Sequence, residues 1–461
     1  MKHDESFYRS TSLWFDELDA PVTPRAALEG AEQADVAIVG AGYSGLWTAY
    51  YLARSRPELR IAIVEGEVAG YGASGRNGGW CVGDVSGADA LLARRSTRAA
   101  GLDLQRAAFA AVDEIGRVCS EEGIDAHYKK GGVLRVAANP TQGEQLREHV
   151  SRLAHFGFDP SDYRFLEPDE VEERFRGIET YGAMLGAHCA VLQPARLVRG
   201  LADRVEALGV RIFEDSPVTH IEPRAIRTAG GELRAERVVV ATEGFTSLLK
   251  GRHRDLLTLH SWMLATEPLP ESVWKEIGLD EREAFSDASL SVTYAQRTLD
   301  DRLAFGAWGT YNFGSRVQHR FDRSEPLFAE LHRMMLKLFP ALTDAEITHH
   351  WGGPIAAARD LRTRVGFDPE SGMGWIGGYV GEGVAISNLA GRTLAELLAG
   401  LDTERTRLAL VSPPARKWEI EPLRWLAVTS LIGAAGAVDR AGAGGWTSRL
   451  AARAFRAVTG R

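Results

Sequence analysis

Cysteine is scarce in this 461-residue chain: Cys81, Cys119 and Cys189 form no CxxC pair and no metal-ligand spacing. That excludes a disulfide framework and a zinc module, and implies a reducing compartment. Lysine is scarce as well, seven of 54 basic residues, which reflects coding bias and not function. A net charge of −8 leaves no basic footprint for nucleic acid. No window approaches eighteen uninterrupted apolar residues, so no membrane span is expected. The first thirty residues carry Asp4, Glu5, Arg9, Asp16 and Glu17 without an apolar core, so no secretory signal is expected and the default location is the cytoplasm.

What is present is an ordinary composition, 45% hydrophobic and 25% charged, in a chain long enough for two or three domains. Its organising stretch is Ala34 to Glu65. Asp35 to Val39 reads as a buried strand, and Gly40-Ala41-Gly42-Tyr43-Ser44-Gly45 turns it into a helix with Leu46, Ala49, Tyr50 and Ala53 at helical spacing. Arg60 to Val64 follows as a second strand, closed by Glu65. Each part answers a need of a bound dinucleotide. Gly40 allows the tight turn, Gly42 lets the main chain approach a pyrophosphate, and Gly45 lets helix and strand lie close. The phosphates meet the N–H groups and positive dipole end of a helix, and an acid about twenty residues on accepts hydrogen bonds from the ribose and repels a 2′-phosphate.

A second glycine stretch runs from Gly70 to Cys81, GYGASGRNGGWC, and can be neither helix nor stable strand. With GAGYSGLWTAYYLA before it, this segment resembles the FAD-dependent oxidoreductases of the D-amino-acid oxidase superfamily, in particular the group that includes gamma-glutamylputrescine oxidase and related amine oxidases. The resemblance implies an α/β fold (α+β overall), with a Rossmann-like FAD-binding domain of the glutathione-reductase type and an interleaved antiparallel-sheet substrate domain. It implies that Tyr43 and Ser44 join the three glycines as FAD contacts, and that Ser74, Arg76, Asn77, Gly78 and Gly79 line the path to the isoalloxazine ring, with Trp80 or Cys81 facing it. Some relatives link flavin covalently, which raises the question for Cys81; non-covalent FAD is the expectation.

Two later segments fit the same family. Val218 is the position expected to hold adenine, and Thr242 ends the buried strand Arg237 to Ala241 at the family's ATG-type turn, here with an extra Glu243 before Gly244. Trp375 to Arg392 brings a third glycine turn, in which Gly378, Gly381, Gly383 and Val384 are expected at the flavin and the following helix points its N-terminus at the pyrimidine side. The resulting division is an N-terminal arm at 1–33, pinned by Leu13-Trp14-Phe15; an FAD-binding domain at 34–90, 180–250 and 346–400; a substrate domain at 91–179 and 251–345; and a helical extension at 401–461. Within the extension Trp425 to Ala437 reads as an apolar helix. Trp446 to Arg461 is small and basic without an acid; packing on the body accounts for it better than membrane contact.

The expected reaction is oxidation of a C–N bond in a small-molecule amine or amino acid to an imine, with electrons passing to O2 or another acceptor. No general base is required for hydride transfer from a neutral amine. Tyr294 and Trp308 join Trp80 as pocket candidates, and Arg297, Arg302 and Arg359 as candidate forks for a substrate carboxylate. His349 and His350, adjacent on a strand, point to opposite faces and are read as structural. Two other readings compete. An NAD-dependent dehydrogenase leaves the second and third glycine segments without a role, and a flavin-binding protein without redox work rests only on the unusual tail.

Overall fold

The computed structural model describes residues 3–441. Two eight-stranded sheets organise it. In the first, Arg211–Phe213, Ile61–Val64, Gly30–Val39, Gly231–Val240 and Met373–Gly377 lie side by side and parallel, and Arg364–Asp368 adds an antiparallel edge. Val36, Ile38, Ile61 and Ile63 are wholly or almost wholly buried because helices cover the sheet, as parallel strands require. Tyr43–Ser55 and Gly383–Leu398 pack together on one face, where Gly391 lies so close to Trp47 that an added Cβ would stand 2.7 Å from the Trp47 Cβ. The first strand starts at Gly30, inside the span read as arm. Gly30 to Gln33 pair through the backbone with Gly231 to Arg234, so no apolar pattern marks them.

The second sheet runs in the order Ile347–Ala357, Leu257–Thr266, Leu303–Tyr311, Thr293–Arg297, Ala284–Asp287, Val133–Val136, Ala183–Gly186 and Tyr163–Leu166. All its pairings are antiparallel except the parallel one between Ala284–Asp287 and Val133–Val136, which stitches two distant stretches of chain into one sheet. Ala183–Gly186 and Ile347–Ala357 come from spans that otherwise build the first sheet. Thr293–Arg297 follows a loop across which Ser289 and Thr293 hydrogen-bond the Asp287 carboxylate.

The arm lies against the second glycine stretch. Trp14 is buried and its Nε1 donates to Asn77 O at 2.7 Å, Ser12 Oγ donates to Gly75 O at 2.8 Å, and the Trp14 ring meets Trp351 edge to face. His349 reaches Asp16 at 3.2 Å while His350 packs on Phe328, so the two diverge. The apolar helix of the extension spans Leu423–Ala441; Trp446 to Arg461 lie outside the described residues.

Candidate functional site

One cavity gathers most of the glycine segments. Its lining includes Gly40, Gly42, Tyr43, Ser44, Glu65, Ser74, Asn77, Val218, Thr242, Gly381, Gly383 and Val384, all expected from the sequence. At the first junction Gly40 has φ +107°, and a Cβ there would stand 2.6 Å from Ala241 O. A Cβ on Gly45 would collide with Gly40 O, so this glycine packs helix on strand and does not line the cavity. The Tyr43–Ser55 helix starts at Gly42 with no side-chain cap on its own first turn. Its first N–H, from Tyr43, donates to Ser74 Oγ at 2.9 Å, so the second glycine stretch is moored at the anion-binding end of this helix.

Glu65 closes the adjoining wall. Its carboxylate accepts from Ala41 N at 2.7 Å and Glu67 N at 3.1 Å, and burial pushes its pKa up to about 7 against those two bonds, with Glu214 and Glu67 adding to the rise. Pro217 and Val218 line the cavity with it.

The third junction is held from far away. Gly383–Leu398 also starts without a side-chain cap, at the cavity wall. The turn before it is gripped by Glu243, whose carboxylate accepts from Gly378 N at 2.9 Å and Tyr379 N at 3.3 Å. Glu243 sits at φ +41°, an uncommon conformation for a residue with a side chain, and burial raises its pKa to about 7. Tyr379 in turn shares a 2.6 Å hydrogen bond with Ser44, joining the first and third junctions. Two helix starts whose N-cap residues supply no side-chain cap, facing one glycine-walled cavity, fit an extended anionic dinucleotide: the backbone comes close, and the positive dipole ends offer the charge complement.

Several expected contacts stand elsewhere. Gly378 is engaged by Glu243 and is off the lining. Gly78 and Gly79 are covered by the second sheet, where the Tyr294 ring abuts Gly78 and Gln296 Nε2 donates to Gly78 O at 2.9 Å and Leu192 O at 3.2 Å. Arg76 is buried and braces the wall without reaching the cavity. Its Nε donates to Tyr71 O at 2.7 Å, its guanidinium lies 4.3 Å from the Tyr71 ring centre, and its Nη1 donates to His319 O at 3.3 Å. Tyr71 and His319 do line the cavity, 3.1 Å apart between Oη and Nδ1. Burial and the nearby Arg76 lower the His319 pKa, so this imidazole is neutral at pH 7.

Trp80 and Tyr294 meet edge to face at 6.1 Å beside the glycine loop and off the cavity lining, with Trp80 Nε1 held by Ala295 O at 2.9 Å. The side chain of Trp308 lies outside the description; its backbone pairs with Ser261. Cys81 is fully buried in the helix-covered core and its thiol pKa is raised by that burial, so it neither meets the cavity nor offers a thiolate for flavin attachment. The three arginine candidates are committed to other partners: Arg297 to Asp301 at 2.6 Å, Arg302 to Asp300 at 2.6 Å, and Arg359 to Glu419 at 2.9 Å. Sequence reasoning missed the apolar wall of Phe245, Leu248, Leu249 and Ile355 and the clamp by Glu243. An acid interrupting a strand-to-glycine turn was the only available signal, since its partners lie 135 and 136 residues away. Among the described residues no acidic, histidine or cysteine group could hold a metal.

The comparisons with known proteins agree with this geometry. The protein-family model for FAD dependent oxidoreductases (DAO) matches residues 35–397. The chain is 28% identical over 410 residues to the probable oxidoreductase OrdL of Rhizobium meliloti, spanning 86% of this chain and 90% of that protein. It is also 28% identical over 416 residues to the gamma-glutamylputrescine oxidoreductase of Escherichia coli, spanning 88% and 91%. A crystal structure of glycine oxidase from Geobacillus kaustophilus shares the fold, with a TM-score of 0.67 at 22% identity over 81% of this chain and 96% of that one. The chain belongs to the family of FAD dependent oxidoreductases, and FAD is its cofactor.

Proposed function

We propose that this protein oxidises the C–N bond of a small-molecule amine or amino acid to an imine, which water then hydrolyses. The observation that carries the reading is the pair of helix N-termini opening on one cavity, with Phe245, Leu248, Leu249 and Ile355 as an apolar wall. Gly40, Gly42 and the N–H groups of the Tyr43–Ser55 helix would hold the pyrophosphate, Glu65 the ribose, Val218 the adenine, and Gly383 and Val384 the pyrimidine end of the ring. Bound FAD supplies the two-electron acceptor. The chain's own work is to orient the donor and exclude water. Apolar lining disfavours an ammonium and so favours the neutral amine from which hydride leaves. The parallel sheet, with 34–90, 180–250 and 346–400, would form the cofactor domain, and 91–179 and 251–345 the substrate domain. O2 or another acceptor would take the electrons, in the cytoplasm.

The test is anaerobic addition of a panel of amines and amino acids to the purified yellow protein, followed at the flavin band. Bleaching by a member of the panel, with stoichiometric aldehyde or keto product after air is admitted, is the expected result. A flavin reduced by no amine but by a hydroxy acid or by NADH would overturn the reading.

A further inference from the structure

The Leu423–Ala441 helix presents two unlike sides. Arg424, Val428 and Ala435 are buried, and Val428 and Ile432 pack with Leu257, Tyr311, Val380 and Trp418. Outward stand Leu423, Trp425 and Leu426, 59, 37 and 51% exposed, with Ile420 just ahead at 58%. No charged residue occurs from Trp425 to Val438, so the outer side lacks the polar cover of an ordinary surface helix. Exposed Leu248 and Phe313 belong to segments that interlock with it. Gly314 N donates to the Glu421 carboxylate at 2.9 Å, Ser247 Oγ to Ser315 O at 2.9 Å, and Arg424 Nη1 to His253 O at 3.2 Å. Six of the eleven large apolar side chains exposed among the described residues thus fall in three joined segments.

The same segments are basic. Apart from the buried Arg424, residues 247–255, 313–316 and 416–426 hold six Lys or Arg against three Asp or Glu, in a chain whose net charge is −8.

We propose that this corner docks the protein on an anionic lipid surface, with Ile420, Leu423, Trp425 and Leu426 entering the headgroup boundary and the surrounding basic side chains facing lipid phosphates. Apolar side chains ringed by Lys and Arg match such a surface on both counts. A second copy of the chain would match only the apolar part, because like docking on like sets two basic rings face to face. No helix among the described residues is long and apolar enough to cross a membrane, and peripheral docking needs none. Leu248 and Leu249 also line the cofactor cavity, so the patch reaches its rim.

Vesicle flotation of the full-length holoenzyme tests this. Flotation is expected with vesicles of phosphatidylcholine mixed with phosphatidylglycerol and not with phosphatidylcholine alone, and the bound fraction should fall roughly tenfold as salt is raised to about 0.5 M. The Leu423→Asn/Leu426→Asn double variant should lose flotation while keeping its flavin and unfolding midpoint; Leu327→Asn, at an exposed leucine on the Pro326–Leu338 helix, should keep it. Absence of flotation with either vesicle, or undiminished flotation of the double variant, would overturn the proposal. So would a wild-type dimer in sedimentation that the double variant abolishes, which would assign the patch to a second copy.

Discussion

The two helix starts at the cavity reach the same end by different routes. At Gly40 to Gly45 the geometry is local: glycines five residues apart let strand, turn and helix close on themselves, and Gly45 lies against Gly40 O. At Gly377 to Gly383 the turn is held by Glu243 from another strand end and by Tyr379 through Ser44. A local device is readable as a motif, whereas a long-range one is visible only once the partners are brought together.

The largest effect should come from striking the local device. Gly45→Val would drive its side chain into the Gly40 backbone carbonyl, which cannot move aside, so the cost exceeds the about 1–3 kcal/mol of ordinary core overpacking. The variant is expected to lose flavin altogether, read as absorbance at the flavin band per protein, and a fully yellow Gly45→Val would end the local account. Next is the mooring of the glycine loop by the arm. Trp14→Ala should cost about 3–5 kcal/mol in urea unfolding, because it empties a buried site and frees Asn77 O.

Breaking the long-range device should be milder. Glu243→Gln keeps one acceptor oxygen and sets an amide N–H₂ against a backbone N–H, leaving a buried donor unpaired at about 1–3 kcal/mol, or roughly tenfold to a hundredfold weaker FAD retention. Fluorescence of released FAD measures this directly; unchanged retention would mean that the third junction is held locally too.

Glu243 and Glu65 sharpen the contrast through pH. Both have folded pKa values raised to about 7, above their ordinary value of 4.5, so the folded apoprotein binds more protons than the unfolded chain between those values. Their contribution to apoprotein stability is fully present below about 4.5 and is lost as pH rises through about 7. Denaturant midpoints measured across that window should fall with pH for this pair, and Glu243→Gln should flatten part of the slope. The smallest effect is expected from Arg359→Ala. Arg359 is spent on Glu419 in a half-exposed pair worth about 0–1 kcal/mol, so KM for a carboxylated substrate should change less than about twofold.

Legibility in the sequence followed the range of the interactions. Gly40, Gly42, Glu65 and Ser74 stand on the cavity lining as expected because backbone approach and helix dipoles impose residue types at short spacing, and the strand expected over Arg237 to Ala241 lies at the end of Gly231–Val240 because a continuous apolar run marks a buried parallel strand. Arg76, Gly78 and Gly79 were rightly assigned to the loop but not to the cavity surface, since Tyr294 and Gln296, more than two hundred residues away, close over the glycines and the arginine turns to Tyr71. The arginine candidates could not be sorted, because whether a guanidinium is free or already paired is a property of its neighbours in space.

By itself, then, the sequence determined the dinucleotide junction, the order of the cofactor segments and the presence of two kinds of sheet, all of which rest on steric and periodic constraints that act between near neighbours in the chain. Only the tertiary structure decided that Glu243 clamps the third junction, that Cys81 is sealed in the core, and that the Leu423–Ala441 helix leaves apolar side chains bare. Those depend on which distant surfaces are brought into contact, and packing of that kind leaves no periodic or short-spacing trace in the chain.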